Sequence, residues 1–303
     1  MTEKAPEILW HYTSIDTLVK ICTNRTIRAT HHEFLNDPIE VTFGAMVLKK
    51  NLDCLLESQM ITKEKYRLIE DCCDLHTQNM QAHHYIFSLS AADPNESLDL
   101  WKAYVPKNGG CAIGFNFSKL YNELIKKNDG IRPECIGCSD LSACHYLKPE
   151  EAKPILNELK EKIIRLKDIC EYDDYTGQSS IKFSQELNEL QKYLYILKHS
   201  AYSAEQEWRA VFWNGNNVPC VKFEEGKPFV NVCFLEKDFA DLITHVYISP
   251  HGNTRDMFQY VSFFSSCLKQ EYVQNMRKYK LPHNALLGNG FFEVNQCDLP
   301  YRG

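Results

Sequence analysis

Tyr85-Ile86-Phe87-Ser88-Leu89-Ser90, followed by Asp93-Pro94-Asn95 and then by Cys111-Ala112-Ile113-Gly114-Phe115, is the stretch that decides the fold. Both apolar runs have strand length and composition, and Asp-Pro-Asn is a turn signal. Between them Leu98, Trp101 and Tyr104 recur at helical spacing, and Gly109-Gly110 marks a tight turn before the second strand. The stretch therefore reads strand, turn, helix, turn, strand.

Towards the N-terminus the same reading predicts a strand over Ile8 to Tyr12 and a helix over Ile15 to Cys22. Thr13, Ser14 and Asp16 supply capping oxygens for that helix. An extended piece follows at Thr26 to Ala29, then the loop Phe34-Leu35-Asn36-Asp37-Pro38. Helices are predicted over Glu40 to Leu56 and over Lys63 to Met80. Towards the C-terminus a strand lies near Cys144 to Leu147, and Pro149-Glu150-Glu151 opens a helix whose stripe is Leu156, Leu159, Ile163, Leu166 and Ile169. After the loop Asp173 to Gly177, Phe183 to Leu197 forms a second helix. Strands follow at Glu207 to Trp213, Cys220 to Phe223, Phe229 to Val232 and His245 to Ser249. A helix over Arg255 to Gln270 and a strand near Phe291 to Val294 finish the chain. The expected architecture is one α+β domain over 1–303, with mixed or antiparallel central sheets and flanking helices. Residues 149–198 form a helical-pair excursion within it.

The composition bounds the function. With 44% apolar and 24% charged residues the 303-residue chain is an ordinary globular protein, large enough to bury a core without cross-links. A net charge of −6 argues against duplex nucleic acid as the main partner, because phosphate binding draws on a basic surplus. The lysines at 126–127 and 160–167 are interleaved with acids and read as solvated helix faces, not as an extended basic surface. Thirteen cysteines, an odd number, without an apolar export segment in Met1 to Trp10, point to free thiols in the reducing cytoplasm. No run has the length of a membrane span; Val41 to Leu48 is short and interrupted by Gly44.

Two phrases hold the candidate chemistry. Leu9-Trp10-His11-Tyr12-Thr13-Ser14 places an imidazole, a phenol and a hydroxyl at a strand end, a set able to hold a ribose and cover a flat ring. Strand alternation turns Tyr12 away from His11 unless the strand ends there. Ala204-Glu205-Gln206-Glu207-Trp208-Arg209 carries two carboxylates that lie on one face if the segment is extended. One can stabilise a developing positive charge while the other tunes it by like-charge coupling; the competing reading of Glu207 is a partner for Arg209. Ser88 and Ser90 alternate with Phe87 and Leu89 and so face a cleft or water. Trp101 and Tyr104 are core or pocket wall.

Cys135-Ile136-Gly137-Cys138, followed by Cys144-His145, has the donor types that suit zinc, but no second CxxC closes the set. A strand through Cys144 would also turn Cys144 and His145 to opposite faces, so no metal site is expected. Walker, GxGxxG, GxSxG and HExxH motifs are absent, which disfavours the common nucleotide-triphosphatase, Rossmann, serine-hydrolase and zincin classes.

His11-Tyr12-Thr13-Ser14, Phe34 to Glu40, Phe87 to Ser90 with Trp101, Gly110 to Phe115, and Glu205 to Arg209 together resemble a widespread, mainly prokaryotic family known as domain of unknown function 2971. The likeness runs in order along nearly the whole chain. The opening phrase is also similar to the first motif of the histidine-type ADP-ribosyltransferases. That resemblance implies an ADP-ribosyltransferase-like fold with NAD as substrate, and His11 on the nicotinamide ribose. Tyr12, Tyr85 and Tyr104 compete for the stacking position, and Tyr12, Thr13, Ser88, Ser90 and Tyr104 join His11 as cofactor-binding residues. Glu205-Gln206-Glu207 is similar to the Glu-x-Glu of the arginine-type branch, which implies Glu207 as the catalytic carboxylate. The activity implied is ADP-ribosyl transfer to a protein or nucleic-acid acceptor, or NAD hydrolysis, in toxin or phage-defence biology. The alternative is a non-catalytic nucleotide- or protein-binding regulator on the same scaffold.

Overall fold

The computed structural model describes residues 5–35, 39–73, 84–126, 137–148, 157, 159–165, 190–213, 220–224, 226–234, 239, 241–278 and 290–300. The strands in chain order are β1 (Ile8–Thr13), β2 (Thr26–His31), β3 (His84–Ser90), β4 (Cys111–Asn116), β5 (Gly137–Ala143), β6 (His145–Leu147), β7 (Leu197–His199), β8 (Glu207–Trp213), β9 (Val221–Glu224), β10 (Lys227–Cys233), β11 (Ile243–Ile248) and β12 (Glu293–Gln296). Ten of them make one sheet, and β6 and β7 form a separate parallel pair. The large sheet is antiparallel except for β11 against β12. The architecture is therefore α+β, with a mostly antiparallel central sheet and flanking helices.

The order β12-β11-β4-β1-β3-β2-β10-β9 conceals a split. One edge of β3 pairs along its whole length with β8, from His84 against Trp213 to Ser90 against Glu207, and β5 lies beyond β8. The other edge is shared. β2 takes Tyr85 and Ile86, whereas β1 takes Ser90 through Trp10. Phe87, Ser88 and Leu89 lie between these contacts, paired with neither strand. A gap thus opens along β3 in the middle of the sheet.

Alternation assigns the two faces. Leu9, Phe87, Phe115, Ala210, Phe212 and Val230 form the main core, against Leu18 and Ile21 of α1 (Ile15–Asn24) and Val261 of the helix Thr254–Lys278. Ser14 caps α1 as its sequence suggests, accepting the Thr17 amide at 3.1 Å. The opposite face carries two separate clusters. One packs Ile86 and Val211 against Phe43 and Val47 of α2 (Ile39–Glu57) and Leu194. The other packs Trp10 and Tyr12 against Leu100 and Trp101 of the helix Leu98–Tyr104. The gap in the sheet lies between these two clusters.

The predicted helix over Glu40 to Leu56 and the 85–115 block appear as read. The helix Lys63–Cys73 realises the described part of the second predicted one. Most of the 149–198 excursion lies outside the described residues; within them, 159–165 and 190–196 are helical, with Leu159 and Ile163 fully buried. The expected helix over Phe183 to Leu197 is corrected at its end. It stops at residue 196, and Leu197–His199 is β7, because the run Leu197-Lys198-His199 pairs with β6 instead of continuing the turn. β5 has no counterpart in the sequence reading: Gly137, Ser139, Asp140 and Ser142 are poor strand formers, and pairing to β8 sets their conformation.

Candidate functional site

A cleft of about 530 Å³ fills the space between the two clusters and reaches into the gap. His11, Tyr12, Thr13, Ser88, Ser90, Tyr104, Glu205 and Glu207 all line it. Every residue proposed from the two phrases therefore borders one cavity.

Its first wall is β1. The sheet register sets Trp10, Ser90 and Glu207 in line on one face, so alternation would send His11 to the other. His11 nevertheless reaches the cleft because β1 leaves β3 after Trp10. Its ring turns into the gap, Nδ1 lies 3.1 Å from the Ser88 carbonyl, and the imidazole rests on Phe87 with ring centroids 4.7 Å apart. Burial lowers its pKa below the ordinary histidine value, while the Ser88 carbonyl opposes the shift. Tyr12 points the other way, edge-on to Trp101 at 5.0 Å, and burial pushes its phenol pKa up. Gly110 supports this wall: a Cβ there would stand 2.3 Å from the Thr13 carbonyl oxygen.

The second wall is charged. Glu207 begins β8, and Arg209 sends Nε to its Oε1 and Nη2 to its Oε2, both at 2.9 Å, in a bidentate fork. Lys198 of β7 donates to the same Oε2 at 2.7 Å and to Glu205 Oε2 at 2.5 Å. Arg209 Nη1 also donates to the Tyr195 carbonyl at 2.6 Å, and the Glu207 amide donates to the Tyr146 hydroxyl at 2.7 Å. Burial alone would raise the Glu207 pKa, but Arg209 and Lys198 outweigh it and bring the carboxyl down to about 2. Glu207 is therefore a fixed anion at neutral pH, unsuited to donating a proton. Glu205 is more accessible, with the Tyr104 hydroxyl donating to its Oε1 at 3.0 Å. Burial and the Glu205 charge both raise the Tyr104 pKa.

The expectation that Glu205 and Glu207 share the face of one strand is corrected here. Glu205 ends the 3-10 turn Ser200–Glu205, and Gln206 is left-handed at φ 43°. The carboxylates meet because Lys198 stands between them. Ser88 is half-buried on the floor, opposite Arg209, whereas Ser90 is buried and bonded, donating to the Glu205 carbonyl at 2.6 Å and accepting the Ala92 amide at 3.0 Å. Asn36 and Asp37 lie outside the described residues.

Sequence reasoning missed Lys198, Tyr202, Arg28 and Lys227, which also line the cleft. Lys198 left a signal: it directly follows the apolar run Tyr193 to Leu197, and a lysine drawn into such a run needs an acid partner. Arg28 stacks on Phe229 at 4.3 Å and pairs with Glu224, at the opposite end of the lining set from β8.

Among the described residues no group of three His, Cys, Asp or Glu side chains could hold a metal. Cys138 is packed in the main core, and Cys144 Sγ lies 3.8 Å from Glu207 Oε2; Cys135 is outside the described residues. Nor is any helix among them long and apolar enough to cross a membrane.

Fold and site define a class: an α+β protein with a cleft at a split in its sheet, one wall neutral and aromatic, the other ionic. Residues 100–210 match the model of a family described as protein of unknown function (DUF2971). The matched stretch holds Tyr104 and the whole charged wall, but neither His11 nor Ser88. No curated protein and no solved structure matches the chain.

Proposed function

We propose that the cleft binds a nucleotide of the NAD type and that the chain is an ADP-ribosyltransferase or NAD glycohydrolase. The observation that carries this reading is the convergence of His11, Ser88, Tyr104, Glu205 and Glu207 on one cavity of nucleotide size. In this mechanism His11 and Ser88 position the ribose, and an exposed ring of the mouth, Tyr104 or Tyr202, covers the nicotinamide. The carbon–nitrogen bond between ribose and nicotinamide breaks with its electron pair leaving on nicotinamide. The positive charge left on the ribose faces Glu205 and Glu207, and water or an acceptor nucleophile then bonds to that carbon and releases its proton to solvent. Glu207, ionised throughout the neutral range, contributes charge and hydrogen-bond acceptance, not proton transfer.

Nicotinamide release from NAD, measured for wild type, Glu207→Gln and Glu205→Gln, tests the proposal. Turnover by the wild type and a loss of about 10²–10³ in kcat for Glu207→Gln are expected. Absence of both turnover and calorimetric NAD binding in the wild type would sink it. A second reading, a nucleotide-binding regulator without turnover, is favoured by one observation: Lys198 and Arg209 already balance the Glu207 charge. Binding heat without nicotinamide release would select it.

A further inference from the structure

We infer that Lys198 is a positioning residue that joins Glu205 and Glu207 into one acidic unit at the cleft. Arg209 alone satisfies both oxygens of Glu207. A second cation is therefore surplus to the ion pair, and burying an ammonium to 1% exposure costs more than a single shared oxygen returns. The second contact is what distinguishes Lys198: its ammonium reaches Glu205 at 2.5 Å as well as Glu207 at 2.7 Å. The Tyr104 hydroxyl holds the other Glu205 oxygen, so that carboxylate is fixed at both ends. Tyr202 lays its ring 5.0 Å from the ammonium and covers it on the cleft side. Lys198 also stands two residues before the start of the turn Ser200–Glu205, so its bond to Glu205 closes that turn onto the strand from which it departs.

Two carboxylates bonded to one nitrogen atom are close enough that, with that cation removed, they titrate as a coupled pair: Arg209 still holds Glu207 ionised, and like-charge repulsion moves the upper ionisation of the pair above the ordinary carboxylate range. The groups facing Lys198 are Glu205, Glu207 with Arg209 behind it, Tyr104, Tyr146, Tyr202 and Cys144. His145 and His199, on β6 and β7, are present in every variant, and the double variant, which keeps both, is the control for them.

The experiment uses the full chain. Melting temperatures of wild type, Lys198→Met, Lys198→Arg and the double variant Lys198→Met/Glu205→Gln are compared at pH 5 and pH 8. A raised folded-state pKa means stability that is present at low pH and lost as pH rises. The Lys198→Met deficit is therefore expected to be at least about twofold larger at pH 8 than at pH 5. Lys198→Arg keeps the charge and most of the stability, and the double variant loses the pH dependence. Equal deficits at both pH values, or a double variant as pH-sensitive as the single one, would overturn the assignment. If Lys198→Met alone does not fold, recovery of folded protein in the double variant supports the assignment, and failure of both overturns it. This arm needs no turnover, so it stands apart from the proposed NAD activity. The activity arm rests on that activity: the kcat/KM profile of Lys198→Met gains an ionisation above the carboxylate range that Lys198→Arg lacks.

Discussion

The two walls of the cleft reach it by opposite means. On the β1 wall a single neutral ring, His11, is held by one backbone carbonyl and one phenyl face. On the β8 wall four charged side chains, Lys198, Glu205, Glu207 and Arg209, sum to zero and satisfy one another, three of them buried. Removing a piece of the first wall costs a local contact. Removing a piece of the second leaves an uncompensated charge out of water, which is why the charged wall dominates the expected energetics.

The largest effect is expected for Arg209→Met, which strips the fork from Glu207 and the donor from the Tyr195 carbonyl. Urea unfolding should show a loss of about 3–5 kcal/mol; a loss no greater than a surface substitution would put the two walls on the same footing. Next comes the acid limb of stability. The Glu207 carboxyl titrates at about 2 in the fold against 4.5 unfolded, so its stabilisation is fully present above pH 4.5 and is lost as pH falls towards 2. The difference amounts to roughly 3 kcal/mol. Glu207→Gln should flatten the unfolding free energy over that window, and an unchanged slope would assign the acid limb elsewhere.

On the other wall Gly110→Ala forces a methyl against the Thr13 carbonyl and Val105, with an expected cost of about 1–3 kcal/mol. Its sharper signature is displacement of the end of β1, visible as a changed His11 ring resonance with the Glu207 environment untouched. The smallest effect belongs to His11→Gln, about 1 kcal/mol for one hydrogen bond at pH 8. Because burial lowers the His11 pKa, the buried neutral ring is favoured above the unfolded value of 6.5, and the wild type loses stability as pH falls below that and the ring must be charged out of water. The variant should therefore lose less stability than the wild type between pH 8 and pH 5.5, as read by thermal melts.

The walls also differ in how far the sequence disclosed them. His11, Tyr12 and their opposed directions follow from alternation within one strand, and Ser14 announced the helix that ends it. The charged wall is non-local. Glu207 and Arg209 are two apart and their pairing was legible, but Lys198 comes from a strand that looked like the end of a helix. The left-handed turn at Gln206 then re-aims Glu205 in a way no strand period describes. The split itself was hidden for a related reason: β3 reads as an ordinary buried strand, and only the register of β1 and β2 shows that neither covers its middle.

That uncovered middle makes β3 an edge strand in the interior. Free strand edges invite pairing with a second chain, and proteins guard them at their rims with charges, prolines or bulges. Here the segment with no strand on that edge is Phe87 to Leu89, and the group that fills the place is an imidazole from the departing neighbour, seated on the Ser88 carbonyl. An extended segment entering the gap would have to displace His11 before it could add to the ladder. The histidine that lines the cleft thus also occupies a hydrogen-bonding position that an added strand would need.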